Sequence, residues 1–299
     1  IVSWIFGALM ALLIALLLAE IATIYHHERS LFSRLLVITH NRDYGFVISL
    51  SNWFSTVVAI PAEAEASMQY LAEVFPSISD KIFYNNHFSA LGLVFVCLIM
   101  IVYGILNYWG IKLLTKANNC ITIIKLVVPI STAVIIFITS FHPENFYSYR
   151  NSIAPYGIDK AFSAVVTCGI FYSFYGFSMI AMFARELHRP QRNIPLALGG
   201  SVILCLFIYL MLQISFIGAV DSKTIQSIGW HSLNFTSPLA QLAIALGINW
   251  LSIVLYADAA ISPSGTAIIY VGSSTRMLTG MAKDHQMPKI FAEEHHQHQ

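Results

Sequence analysis

The chain has 299 residues, of which 57% are hydrophobic and 10% charged, with a mean hydropathy of +0.69; a soluble globular domain holds about 45–50% apolar and about 25% charged residues. The excess comes in uninterrupted apolar blocks of about 20 residues, the length that crosses a bilayer as a helix. A water-soluble domain is thereby excluded, and an all-α polytopic membrane protein is expected with the lipid bilayer as its solvent. Sixteen Lys and Arg against 15 Asp and Glu leave a net charge of +1, which gives no basic surface for nucleic acid and no acidic tail.

In chain order the apolar blocks run from Ile1 to Tyr25, Tyr44 to Leu71, Phe88 to Leu106, Ile121 to Phe141, Phe162 to Ala184 and Pro195 to Val220. The final block, Leu239 to Gly280, exceeds one crossing; Gly247-Ile-Asn249 divides it into a short outer helix and a seventh span over 250–280. The whole of 1–299 reads as a single transmembrane domain. Asn193 is a candidate N-cap for span six, with Pro195 in its first turn. Cys97, Cys120, Cys168 and Cys205 lie far apart, without metal-ligand spacing.

Lys and Arg in the connecting loops set the orientation. The loops after spans one, three, five and seven carry Arg29, Arg34, Arg42, Lys112, Lys116, Arg185, Arg189, Arg192, Arg276, Lys283 and Lys289, against Lys81, Arg150, Lys160 and Lys223 in the others, eleven to four. The first set is cytoplasmic, so residue 1 lies outside and the last residue inside. Seven spans with an outside start and no signal peptide predict at least one preceding helix. The final Glu293 to Gln299, with three His, reads as the start of a further loop, and no metal site is expected.

Ionisable groups inside a span cost roughly 2.5–3.5 kcal/mol each at the helix centre and are functional candidates by default. Glu63 and Glu65 lie near the outer end of span two; two residues on a helix is about 200°, so they cannot share a face. Lys125 stands alone in Ile121-Thr-Ile-Ile-Lys-Leu-Val-Val-Pro-Ile130, where it either snorkels to the interface or takes part in ion or proton coupling. Asp258 opens a polar stretch, Asp258-Ala-Ala-Ile-Ser-Pro-Ser-Gly-Thr266, in which Ser262 and Ser264 follow it and Pro263 marks a helix break. Asp258 and Ser262 are four apart and share a face.

Span five carries no charge at its centre but reads Thr167-Cys-Gly-Ile-Phe-Tyr-Ser-Phe-Tyr-Gly-Phe-Ser178. Two glycines around a run of aromatics fit either close helix packing or a helix broken at mid-membrane, whose freed backbone groups bind the polar ends of a small solute. On the second reading the binding residues are Gly169, Ser173, Phe174, Tyr175, Gly176, Phe177 and Ser178. No histidine falls inside a span, and neither Gly-x-Ser-x-Gly nor His-Glu-x-x-His occurs, so nothing supports an intramembrane enzyme. No cofactor is expected.

Phe174-Tyr-Gly-Phe-Ser178 followed by Ala184-Arg-Glu-Leu-His-Arg-Pro-Gln-Arg-Asn-Ile-Pro195 resembles the broken sixth helix and following loop of amino acid-polyamine-organocation (APC) permeases. Ser262-Pro-Ser-Gly-Thr266, with Arg276-Met-Leu, Lys283-Asp284 and Pro288, resembles that superfamily's eighth helix and its cytoplasmic end. The resemblance implies a LeuT-like fold of two inverted five-helix repeats. The seven spans would then be helices two to eight, lacking the first helix and those after the eighth. Ala62-Glu-Ala-Glu-Ala-Ser-Met-Gln-Tyr70 is similar to a bacterial branch that includes acidic amino acid carriers, which implies a bacterial inner membrane. The implied activity is secondary active transport of a small amino acid by alternating access, proton-coupled or by exchange; the alternative is a channel or transporter-like sensor. The resemblance also makes Lys125 the counterpart of a fifth-helix lysine that stands in some permeases where sodium-coupled relatives hold a cation, and so places its ammonium near Ser262 to Thr266.

Overall fold

The structure, a computed structural model, describes residues 1–25, 41–84, 87–108, 111–147, 156–233, 235 and 237–292. The basic loop 26–40, with Arg29 and Arg34, and the His-containing end 293–299 lie outside the described residues.

Helix α1 (Val2–Ile24) is the first span. Ala8, Ala11, Ala15, Ala19 and Ala22 recur every three to four residues and are all buried, whereas Leu9, Leu13 and Leu17 on the other faces are exposed. Small residues on one stripe let neighbouring helices approach closely, and large apolar ones face lipid. Helix α2 (Arg42–Val74) begins where the Asn41 side chain accepts the Tyr44 N–H at 2.8 Å. That cap starts the span two residues before the apolar run does.

After α2 follow α3 (Pro76–Ile82) and two short antiparallel strands, β1 (Phe83–Tyr84) and β2 (His87–Phe88), with Phe83 opposite Phe88 and their rings 4.6 Å apart. This pairing takes Phe88 out of span three, which starts instead at Ala90 in α4 (Ala90–Tyr108). Helix α5 (Ile111–Thr139) is span four, with Pro129 inside it. After a 3₁₀ turn (Pro143–Phe146), α6 (Ile158–Thr167) opens span five and a second 3₁₀ helix (Tyr172–Glu186) continues it, bent by 48°.

Helix α7 (Pro190–Ala219) corrects the expected start of span six. Pro190, with its φ preset for a first turn, opens the helix after Arg189 at φ +49°. Asn193 is therefore inside the helix and its Nδ2 donates to the His188 carbonyl at 2.6 Å. At the far end, Asn145 Nδ2 donates to the carbonyls of Ile217 and Val220 at 2.9 and 2.8 Å, satisfying groups that a helix C-terminus leaves free.

Short α8 (Ser222–Ile228) leads through a 3₁₀ turn (Trp230–Ser232) to α9 (Pro238–Ala245) and α10 (Asn249–Lys283). Gly247, at φ +77°, ends α9: its N–H bonds to Ile244 and that of Ile248 to Ala243, a turn that requires a left-handed residue. The expected break at Pro263 is absent. Proline removes one backbone bond, that to Ala259, and helices in a bundle tolerate such a loss.

Among the described residues six helices are long and apolar enough to cross a bilayer, and the bent span-five pair makes a seventh when counted as one. Two units divide the chain. One comprises Ile1–Leu18, Leu126–Phe177 and Pro195–Leu255; within it Ile136, Ala219, Val220, Ile225, Leu242, Ala243, Ile248 and Leu251 form a buried apolar cluster. The other comprises Ala19–Lys125, Ser178–Ile194 and Tyr256–Gln299.

Candidate functional site

The break in span five lies in the first unit. Helix α6 stops at Thr167, Gly169 takes φ +67°, and the chain resumes as a 3₁₀ helix at Tyr172. A Cβ built on Gly169 meets no atom within 4 Å, so its backbone angle alone, not crowding, is what asks for glycine there. A 3₁₀ helix turns in three residues, which sorts the aromatics into faces. Phe174 and Phe177 share one face and are buried; Tyr172 and Tyr175 share another and stack with centroids 6.3 Å apart; Ser173 and Gly176 share the third, and both are exposed. Ser178 is buried.

Four residues absent from the sequence-based set hold this break. Gly7 of α1 lies so close that a Cβ there would stand 3.1 Å from Ile170 Cγ2, which brings the Trp4 ring within 6.0 Å of Phe174 and 4.8 Å of Tyr209. Tyr209 of α7 donates its OH to the Ser173 carbonyl at 3.0 Å. One turn further along α7, Gln213 Oε1 accepts the Trp4 indole N–H at 3.3 Å. A lone amide in the apolar run Leu210 to Phe216 was the signal available for Gln213; Tyr209 and Trp4 read as ordinary lipid-span aromatics.

The second cluster lies in the other unit. Gly265 of α10 sits against α5, where a Cβ would come 2.6 Å from Ile121 Cγ2. Ile121 and Lys125 are one turn apart on the same face, and at this close approach Lys125 Nζ donates to Thr266 Oγ1 at 2.7 Å. Lys125 is half-buried, and the carboxylates that act on its charge are Glu63 of α2 and Asp258 of α10. Asp258 Oδ1 accepts the Ser262 hydroxyl at 2.9 Å. Ser264 faces a different neighbour, sharing a 2.8 Å hydrogen bond with the OH of buried Tyr103. Glu65 sits about 200° around α2 from Glu63. The cluster thus holds two hydrogen-bonded pairs, Lys125 with Thr266 and Ser262 with Asp258, and the charges of Glu63 and Asp258 act on the ammonium. Thr266 closes the polar stretch near which the family resemblance places the Lys125 ammonium, and it is the residue of that stretch to which Lys125 donates.

The chain matches the family described as Amino acid permease over residues 1–299. It is 40% identical over 298 residues to the glutamate/serine transporter AimA of Bacillus subtilis (strain 168), covering 99% of this chain and 55% of that protein. It is 34% identical over 296 residues to the aspartate-proton symporter of the same organism, covering 97% of this chain and 55% of that protein. The similarity to human cationic amino acid transporter 4 is 25% over 186 residues, covering 62% of this chain and 28% of that protein. The chain belongs to the amino acid permease family of the APC superfamily, with the LeuT-like fold of that family. It is an integral, multi-pass membrane protein of bacterial inner-membrane type, and spans about half the length of the curated relatives it matches.

Proposed function

We propose that this chain supplies the substrate and coupling sites of a secondary active transporter that moves a small amino acid by alternating access. The observation that carries the proposal is the break at Gly169, next to which Ser173 and Gly176 are exposed inside a membrane span; the Ser173 hydroxyl donates to the Gly169 carbonyl and keeps its lone pairs for a polar solute. Tyr175 and the 3₁₀ segment through Phe177 and Ser178 complete its wall. A glutamate/serine transporter and an aspartate-proton symporter among the relatives support a small polar or acidic amino acid as substrate and a proton as coupling ion. On this reading Lys125, with Thr266, Glu63, Asp258 and Ser262, exchanges the proton, and Ser264 and Glu65 line the neighbouring polar surface.

The test is uptake of labelled L-glutamate and L-serine by the intact protein reconstituted in liposomes, with unlabelled substrate loaded on the opposite side. A carrier accelerates labelled uptake under that counterflow. Uptake without acceleration favours the channel, and no uptake or binding favours the sensor. Uptake is expected without sodium and to change with pH; an absolute sodium requirement removes Lys125 from the coupling role.

A further inference from the structure

We infer that Gln213 is a specificity-determining residue, whose amide N–H donates to the polar side chain of the transported amino acid. The inference rests on the substrate site proposed above and gives it a residue outside span five.

Gln213 lies in the middle of an apolar helix, where an amide is retained when its groups are bonded. Its two halves are treated differently. Oε1 accepts the Trp4 indole N–H, and because an indole can only donate, this bond fixes which way round the amide sits. The Nε2 hydrogens, turned the opposite way, meet no acceptor among the described residues. Trp4 packs edge-on against Phe174, and Tyr209, one helical turn from Gln213 on the same face, reaches the Ser173 carbonyl. The open N–H₂ therefore belongs to the same layer of side chains that holds the break. An unpartnered donor in an apolar wall selects a solute group that can accept, a carboxylate above all, because a donor to an ionised group makes a stronger bond than to a neutral one.

A structural role for Gln213 would need only Oε1, as the acceptor for Trp4. Gln213→Glu separates the roles, since it keeps that acceptor while removing the donor and adding negative charge. In the intact protein in liposomes, Gln213→Glu is expected to raise the KM for labelled L-glutamate at least tenfold, with Vmax changed much less. Gln213→Leu should raise KM by a similar factor and weaken competition by glutamate more than competition by alanine. Thermostabilisation of the detergent-solubilised protein by L-glutamate reads binding directly, so a variant that folds but fails to cycle is still informative. A Gln213→Glu variant with unchanged KM and unchanged stabilisation overturns the inference and leaves the transport reading standing. Parent protein that neither carries nor is stabilised by glutamate overturns it together with the acidic-substrate class. Parent uptake that lacks counterflow removes the carrier reading alone.

Discussion

Lys125 donates to the Thr266 hydroxyl, and the carboxylates of Glu63 and Asp258 act on its charge. Lys125→Ala is expected to abolish pH-dependent uptake while the protein still inserts and elutes as the parent does; retained uptake with the same pH profile would return Lys125 to a snorkelling role. For Asp258→Asn, which keeps a hydrogen-bond acceptor for Ser262 but loses the charge, we expect uphill uptake to fall more than exchange. Equal loss of both would mark the residue as structural. Gly176 is exposed and a Cβ on it meets nothing, so Gly176→Leu fills open space rather than clashing. Substrate binding should be lost while expression stays near parental, as measured by thermostabilisation and by membrane yield. The sequence made the charged residues of these sites visible because a charge inside an apolar run stands out. The contacts of Tyr209 and Gln213 were hidden because their partners lie 36 and 209 positions away in the chain.

Elements were legible where the physics is local. Apolar length located the spans, and the glycines around the aromatic run located the break. What stayed hidden was tertiary. The Phe83–Phe88 pairing brings two rings together between short strands, and α10 runs on through Pro263 despite one missing backbone bond. The contact of α5 with α10 is set by an absent side chain. Gly265→Val would drive a branched group into Ile121, itself stiff at χ1, and overpacking of this kind costs about 1–3 kcal/mol. It should lower the thermal midpoint and, by pushing Thr266 from Lys125, flatten the pH profile of uptake; the Ile121→Ala substitution in the same chain should restore much of both.

For the molecule as a whole, the clearest acid-sensitive feature outside the membrane is the connection between α5 and α8. The Glu144 backbone N–H first, then the Ser222 hydroxyl and nearby His142, hold the Glu144 carboxyl below the ordinary range, and the Thr224 hydroxyl and N–H do the same for Asp221. A depressed carboxyl contributes stability that is complete above its unfolded value and is lost as pH falls through the folded one. Glu144→Gln should therefore be less stable than the parent at neutral pH, with the two curves converging below the normal carboxylate range; because the groups are exposed, the difference will be small. Thermal unfolding followed across pH 2–7 checks the convergence.

The long 3₁₀ segment also has a mechanical meaning. It rises about 2.0 Å per residue where an α-helix rises about 1.5 Å, so rewinding all 15 residues from Tyr172 to Glu186 would draw its ends together by roughly 7 Å. The same change would rotate successive side chains by 100° instead of 120°, so that Phe174 and Phe177 would no longer stand in register and Ser173 would turn away from Gly176. Such a rewinding would change at once the length of the segment and the direction in which its aromatic wall faces.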